Sequence, residues 1–338
     1  MNEGARRPST AAAGRGPVGR GPVERSRPRP KLWLDADPGH DDVFAILVAL
    51  ARADLVGISV VSGNAPLEAC LNNALITLQL AGAENVPVHA GAAKPLRRPA
   101  QYAPHIHGES GLDGPNLPAR RLAPAATEAV PAILAAAASH DDVWLVATGP
   151  LTNVAKALAA DPGLATRLAG ISLMGGSYSS GNITAAAEFN IWADPDAAAA
   201  VFESGARLVM AGLDLTHQFM ITASRRQQVR ALGGELATFT ADLLEYFSQA
   251  YARNFGVAPE GPLHDPCAVL AVTDPELFTS HDFHVAIETN SDLTRGQTVV
   301  DRRPGNLSRT PNAAVLERID DEAAFATLIG AIGSLGAL

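Results

Sequence analysis

From Lys31 onward the chain alternates short apolar runs with longer Ala- and Leu-rich stretches, and this alternation constrains the fold more than any other feature. The runs Leu32–Asp35, Val56–Val61, Val143–Ala147, Ile171–Met174, Arg207–Ala211 and Phe283–Glu288 read as strands. Helices are expected at Asp42–Ala53, Pro66–Ala81, Ala126–Ser139, Asn153–Ala160, Pro195–Glu203, Glu235–Ala252, Pro266–Val272 and Glu322–Ile332. Strands alternating with helices build βαβ units, and right-handed crossovers place helices on both faces of the sheet. No Pro/Gly linker divides the chain after residue 31. Residues 31–338 are therefore expected to form a single α/β domain, an open, mostly parallel sheet with a Rossmann-like core.

Residues 1–30 differ: they are rich in Pro, Gly and Arg and carry no hydrophobic period, as expected of a disordered basic tail. The tail contains Gly14-x-Gly16-x-x-Gly19, a dinucleotide fingerprint by letter, but no strand precedes it and Pro17 suits no βαβ unit. Seven Arg against Glu3 and Glu24 give the tail about +5, so the net charge of -9 leaves about -14 on the rest. An acidic body argues against nucleic acid as the partner. No apolar run reaches the ~20 residues of a membrane span. Two cysteines, Cys70 and Cys267, make no disulfide framework, and a reducing cytoplasm is expected.

In open α/β sheets, ligands bind beyond the carboxyl ends of the strands. The stretch "LDADPGHDDV" lies there: Leu32–Asp35 ends, Pro38-Gly39 turns, and Asp42 opens an apolar helix. Asp35, Asp37, Asp41 and Asp42 fall within eight positions at the edge of the expected core. Two carboxylates ~4 Å apart repel by roughly 4 kcal/mol at an effective dielectric near 20. Such a cluster must be solvated, protonated or neutralised by a cation. The sequence contains a control, because "HDDV" recurs at His140–Val143. That copy precedes a strand, so Asp141 and Asp142 read as a solvated turn.

An EF-hand loop starting at Asp35 would need a glycine where His40 stands and a glutamate where Ile46 stands. Asp35-x-Asp37 also opens like the aspartyl motif of haloacid-dehalogenase-like phosphatases, but the Pro38-Gly39 turn does not continue it. Several carboxylates without a phosphate-binding loop favour a hard cation, and Ca²⁺ over Mg²⁺.

Five segments occur in an order that resembles the inosine/uridine-type nucleoside hydrolases, which cleave the N-glycosidic bond of ribonucleosides. They are "DADPGHDD", "VSGNAPLE", "ATGPLTNVAKAL", "LMGGSYSSGNITAAAEFNIWADPDAA" and "PLHDPCAVLA". Ala36 stands where the family commonly has Thr. The resemblance implies a Ca²⁺ held by Asp37, Asp42, Asp265 and the main-chain carbonyl of Thr148, with water and ribose hydroxyls completing the shell. It implies that Asp37 takes a proton from water made acidic near the cation. Asp41, Asn182, Glu188, Asn190 and Asp265 are implied to bind the sugar, Asn64 to bond to the sugar or orient the ligands, and His107 to lie near the base. Asp35 is expected behind the ligands, orienting them.

Cleavage through an oxocarbenium-like sugar needs surrounding carboxylates and amide oxygens. A nucleobase leaves through nitrogen, so an acid is required, and His264, beside Asp265, is the expected one. The helically spaced Phe247, Tyr251 and Phe255 form a stripe that faces either the base or the core. The family commonly forms dimers or tetramers, so a homodimer or homotetramer is implied. An alternative of another class is a non-catalytic nucleoside or ribose binder, which would need the sugar contacts but no base at Asp37.

Overall fold

The computed structural model describes residues 28–305 and 309–337. Residues 1–27 of the expected tail, with the Gly14–Gly19 pattern, lie outside the described residues. The described strands are β1 (Lys31–Ala36), β2 (Asp54–Val60), β3 (Val88–Ala90), β4 (Trp144–Ala147), β5 (Gly170–Met174), β6 (Leu208–Ala211), β7 (Met220–Ile221), β8 (Gly261–Pro262), β9 (Phe278–Ile287), β10 (Thr298–Asp301) and β11 (Ala313–Ile319). Nine of these form one sheet in the order β10-β9-β11-β6-β5-β4-β1-β2-β3. Within this sheet, neighbours from β3 across to β11 run parallel and β9 pairs antiparallel with β11 and β10, while β7 and β8 pair antiparallel apart from it. The expected open, mostly parallel α/β sheet is the fold of the protein.

The pleat sorts side chains into two cores. Leu32, Leu34 and Ala36 of β1 join one apolar cluster, and Trp33 joins the other. Helices His40–Arg52, Leu67–Leu80, Pro266–Thr273 and Asp321–Leu335 cover the first face. Helices Ala129–Ser139, Thr152–Ala160 and Pro195–Phe202 cover the second. Helix His40–Arg52 is buried without interruption from His40 to Ala49. Each of Phe44, Ile46, Leu47 and Val48 then contributes about 1.5–3 kcal/mol of burial. This apolar anchor fixes the helix start, and with it Asp41 and Asp42.

The sheet order locates the crevice. From β1 the chain proceeds outward to β2 and β3, then returns to β4 on the opposite side of β1. The carboxyl ends of β1 and β4 therefore flank a topological switch point, where ligands of such sheets bind. Asp37 follows β1 and Thr148 follows β4.

Several elements differ from expectation. The strand expected at Phe283–Glu288 spans Phe278–Ile287, because its first half is an exposed polar segment with no apolar run to announce it. Strands β3, β10 and β11 and helix Ala223–Ala231 were not expected. Asp141 and Asp142 are exposed in a turn before β4, as expected of the second "HDDV". Among the described residues, no helix is long and apolar enough to cross a membrane.

Candidate active site

The turn after β1 delivers Asp37 into a pocket made by backbone. Asn64 N–H donates to Asp37 Oδ2 at 2.7 Å, and Asn64 Nδ2 donates to the Asp37 carbonyl at 3.1 Å. Side chains are excluded around the carboxylate. A Cβ on Gly63 would overlap Asp37 Oδ2, and one on Gly149 would overlap Asp37 Oδ1. Asp37 is fully buried, yet its Oδ1 has no hydrogen-bond partner. An orphaned buried carboxylate oxygen is costly and needs a compensating group.

Asp42 lies beside it. Its Oδ2 accepts from Gly39 N–H at 2.9 Å and from Asn64 Nδ2 at 3.1 Å, and its Oδ1 accepts from Thr148 Oγ1 at 2.7 Å. Asn64 thus ties Asp37 to Asp42. Oxygens of Asp41, Asp42 and Asp265 all come within 4.8 Å of one another. Burial raises every carboxyl of this group. Asp37 is pushed well above the usual range by burial and then by the Asp42 charge. Asp41 is raised to about 7 by burial and then by Asp42, and Asp42 is raised chiefly by burial. Burial, then the charges of Asp41, Asp42 and Asp37, pushes Asp265 well up. The site's donors are all oxygen, one of them an orphan, which suits a hard cation. The geometric cluster contains Asp41 where the expected ligand set has Asp37.

Asp35 sits behind the cluster, on the Trp33 face of β1. Its Oδ1 accepts from Ser59 Oγ and from Asn153 Nδ2, the latter at 2.8 Å. Trp33 Nε1 donates to Ser59 Oγ at 2.9 Å. Burial, partly offset by those hydrogen bonds, raises Asp35 to about 7.

A cleft opens over the carboxylates. Asp41, Asn64, His107, Thr148, Asn182, Glu188, Asn190, His264 and Asp265 all line it. Asp37 and Asp42 lie beneath, fully buried. The segment after β5 is self-supporting. Glu188 caps helix Phe189–Ala193, accepting from the N–H groups of Asn190 at 2.8 Å, Ile191 at 3.1 Å and Gly176 at 2.9 Å. Burial still raises Glu188 to about 7. Asn190 Nδ2 donates to the Thr148 carbonyl at 2.7 Å, and Asn182 Oδ1 accepts from Phe189 N–H at 2.9 Å. The structure therefore gives these side chains a loop-holding duty besides any contact with a ligand.

The opposite wall is aromatic. Phe247, Tyr251 and Phe255, one stripe of helix Gly234–Phe255, all line the cleft. His264 Nε2 lies 2.7 Å from Tyr251 Oη and its Nδ1 lies 2.7 Å from Thr216 Oγ1. Burial pushes His264 and His107 well below the usual histidine range. His107 Nδ1 accepts from the His40 backbone N–H at 3.2 Å, so its Nε2 carries the proton in the neutral ring. The His40 ring stacks on Tyr246, and its Nε2 lies 2.8 Å from the Asp113 carbonyl. Neither Thr216 nor the His40 ring was singled out from sequence. The available signal was position: Thr216 follows the carboxyl end of β6, and His40 sits inside the aspartate turn.

A polar cleft with buried carboxylates beneath it and an aromatic wall above, at the switch point of a parallel sheet, has the features of a small-molecule site. The family model of the inosine-uridine preferring nucleoside hydrolase matches residues 32–326, and the chain belongs to that family. It is 46% identical over 290 residues to the pyrimidine-specific ribonucleoside hydrolase RihA of Shewanella oneidensis, covering 84% of this chain and 90% of that one. Its identity to the Escherichia coli protein of the same name is 43% over 294 residues, covering 86% and 94%. The purine-preferring ribonucleoside hydrolase from Gardnerella vaginalis superposes with a TM-score of 0.85 at 32% identity, covering 90% of this chain and 99% of that one. The protein is an enzyme, a ribonucleoside hydrolase acting on N-glycosidic bonds.

Proposed function

We propose that the protein converts ribonucleosides to free base and ribose in a calcium-dependent reaction, with pyrimidine ribonucleosides as the preferred class. The carrying observation is the orphaned Asp37 Oδ1, buried beside a group of carboxylates that cannot all ionise uncompensated. Ca²⁺ would be held by Asp37, Asp42, Asp265 and the Thr148 carbonyl; when bound, it neutralises the cluster and makes nearby water more acidic. Asp37 accepts the proton of the attacking water, and its Oδ1, which has no other hydrogen-bond partner, supports that role. Asp41, Asn182, Glu188, Asn190 and Asp265 orient the ribose hydroxyls, and Asn64 fixes Asp37 against Asp42. As the base departs, these oxygens stabilise positive charge on the sugar ring. His264 protonates the leaving base, and His107 faces it from the same cleft.

The base preference is supported by the relatives named as pyrimidine-specific, whose identity exceeds that of the purine-preferring structure. A binder without catalysis would have no use for a base at Asp37. The buried thiols of Cys70 and Cys267 suit a reducing cytoplasm, and the family resemblance supports a homodimer or homotetramer.

Incubation with a panel of nucleosides tests the reading. Uridine and cytidine should yield equal amounts of free base and ribose, faster than inosine or guanosine. Faster purine release would overturn the preference, and no ribose from any nucleoside in the presence of calcium would overturn the activity.

A further inference from the structure

One hydrogen-bonded group in the aromatic wall is not used by the reaction as written above. Thr216 closes the short helix Leu213–Thr216 immediately after β6 and is fully buried. Its backbone is already engaged: the N–H donates to the Gly212 carbonyl at 3.0 Å, and the carbonyl accepts from Phe219 N–H at 3.0 Å. Its hydroxyl lies 2.7 Å from His264 Nδ1. His264 Nε2 faces the other way, 2.7 Å from Tyr251 Oη, and both His264 and Tyr251 line the cleft.

A hydroxyl can serve either charge state of an imidazole, because it both donates and accepts. Beside the neutral ring with a bare Nδ1, Thr216 O–H donates, and the ring proton sits on Nε2. Beside the imidazolium, Thr216 Oγ1 accepts from Nδ1–H, and Nε2–H still faces the cleft. When the imidazolium passes its Nε2 proton to the nitrogen of the departing base, the C–N bond breaks with its electron pair going to that nitrogen, and solvent resupplies the ring's proton between turnovers. The ring is left neutral with its proton on Nδ1, where Thr216 accepts it. An apolar side chain of the same shape can do neither.

We propose that Thr216 is the positioning residue of His264, its hydroxyl 2.7 Å from Nδ1 holding the ring so that Nε2 is the nitrogen presented to Tyr251 and the leaving base. The inference rests on the acid role proposed for His264.

The test compares kcat for uridine, whose base needs a proton, with kcat for a nitrophenyl riboside, whose leaving group departs as a stable anion. Thr216→Val should slow uridine at least about tenfold, a share of the ~10²–10⁴-fold that general acid catalysis contributes, and leave the nitrophenyl riboside nearly unchanged. Thr216→Ser should restore uridine turnover. Thr216→Val with His264→Ala should be no slower on uridine than His264→Ala alone, since the hydroxyl acts through the ring. Thr216→Ala removes the hydroxyl without adding volume and repeats the test should valine disturb the packing. If His264→Ala is selective for uridine while the Thr216 variants are silent, or slow both substrates equally, the positioning role is overturned by itself. If His264→Ala slows both substrates equally, the acid reading and this proposal fall together.

Discussion

Replacing Asp37 by Asn lowers kcat by at least ~10²–10⁴-fold and leaves a folded protein. The size follows from two losses at one atom group. The carboxylate that accepts the water proton is gone, and an amide is a poor ligand for the cation it would share with Asp42 and Asp265. The fold survives because Asn has the same shape, and the backbone around it makes few demands. Asp37 Oδ2 accepts one N–H, from Asn64, and Oδ1 has no partner to lose. The measurement is kcat on uridine beside a thermal melt. A variant with wild-type turnover would remove Asp37 from the base role.

Replacing His264 by Ala slows natural nucleosides by ~10²–10⁴-fold and spares the nitrophenyl riboside. A departing uracil or hypoxanthine anion is a poor leaving group, so a proton donor lowers its barrier, whereas nitrophenolate needs none. His264 reaches the cleft with Nε2 hydrogen-bonded to Tyr251. An equal loss on both substrates would assign it to ordering Asp265 or the ligand site. No loss on either would transfer the acid role to Tyr251 or His107, which line the same cleft.

The central strands were legible from sequence because each of β1, β2, β4, β5 and β6 contains a largely apolar run that is buried. Strands β3 and β11 were not. In β11 only some positions are buried, and Glu317 and Arg318 interrupt its run; β3 has three residues and no period to detect. The aspartate turn was legible because strand end, turn and helix start are neighbours in sequence. Thr216 was not, because its meaning comes from a ring 48 positions later. The dual duty of Glu188 was hidden for a related reason. A glutamate before Phe189 shows neither the cap it makes nor the cleft it lines.

The direct test of the carboxylate centre is elemental analysis of the purified protein, followed by turnover before and after exhaustive chelation. The buried cluster of Asp37, Asp41, Asp42 and Asp265 should hold calcium near one per chain. Chelation should abolish ribose release from uridine, and added calcium should restore it. Full activity from protein in which no metal can be detected would contradict this.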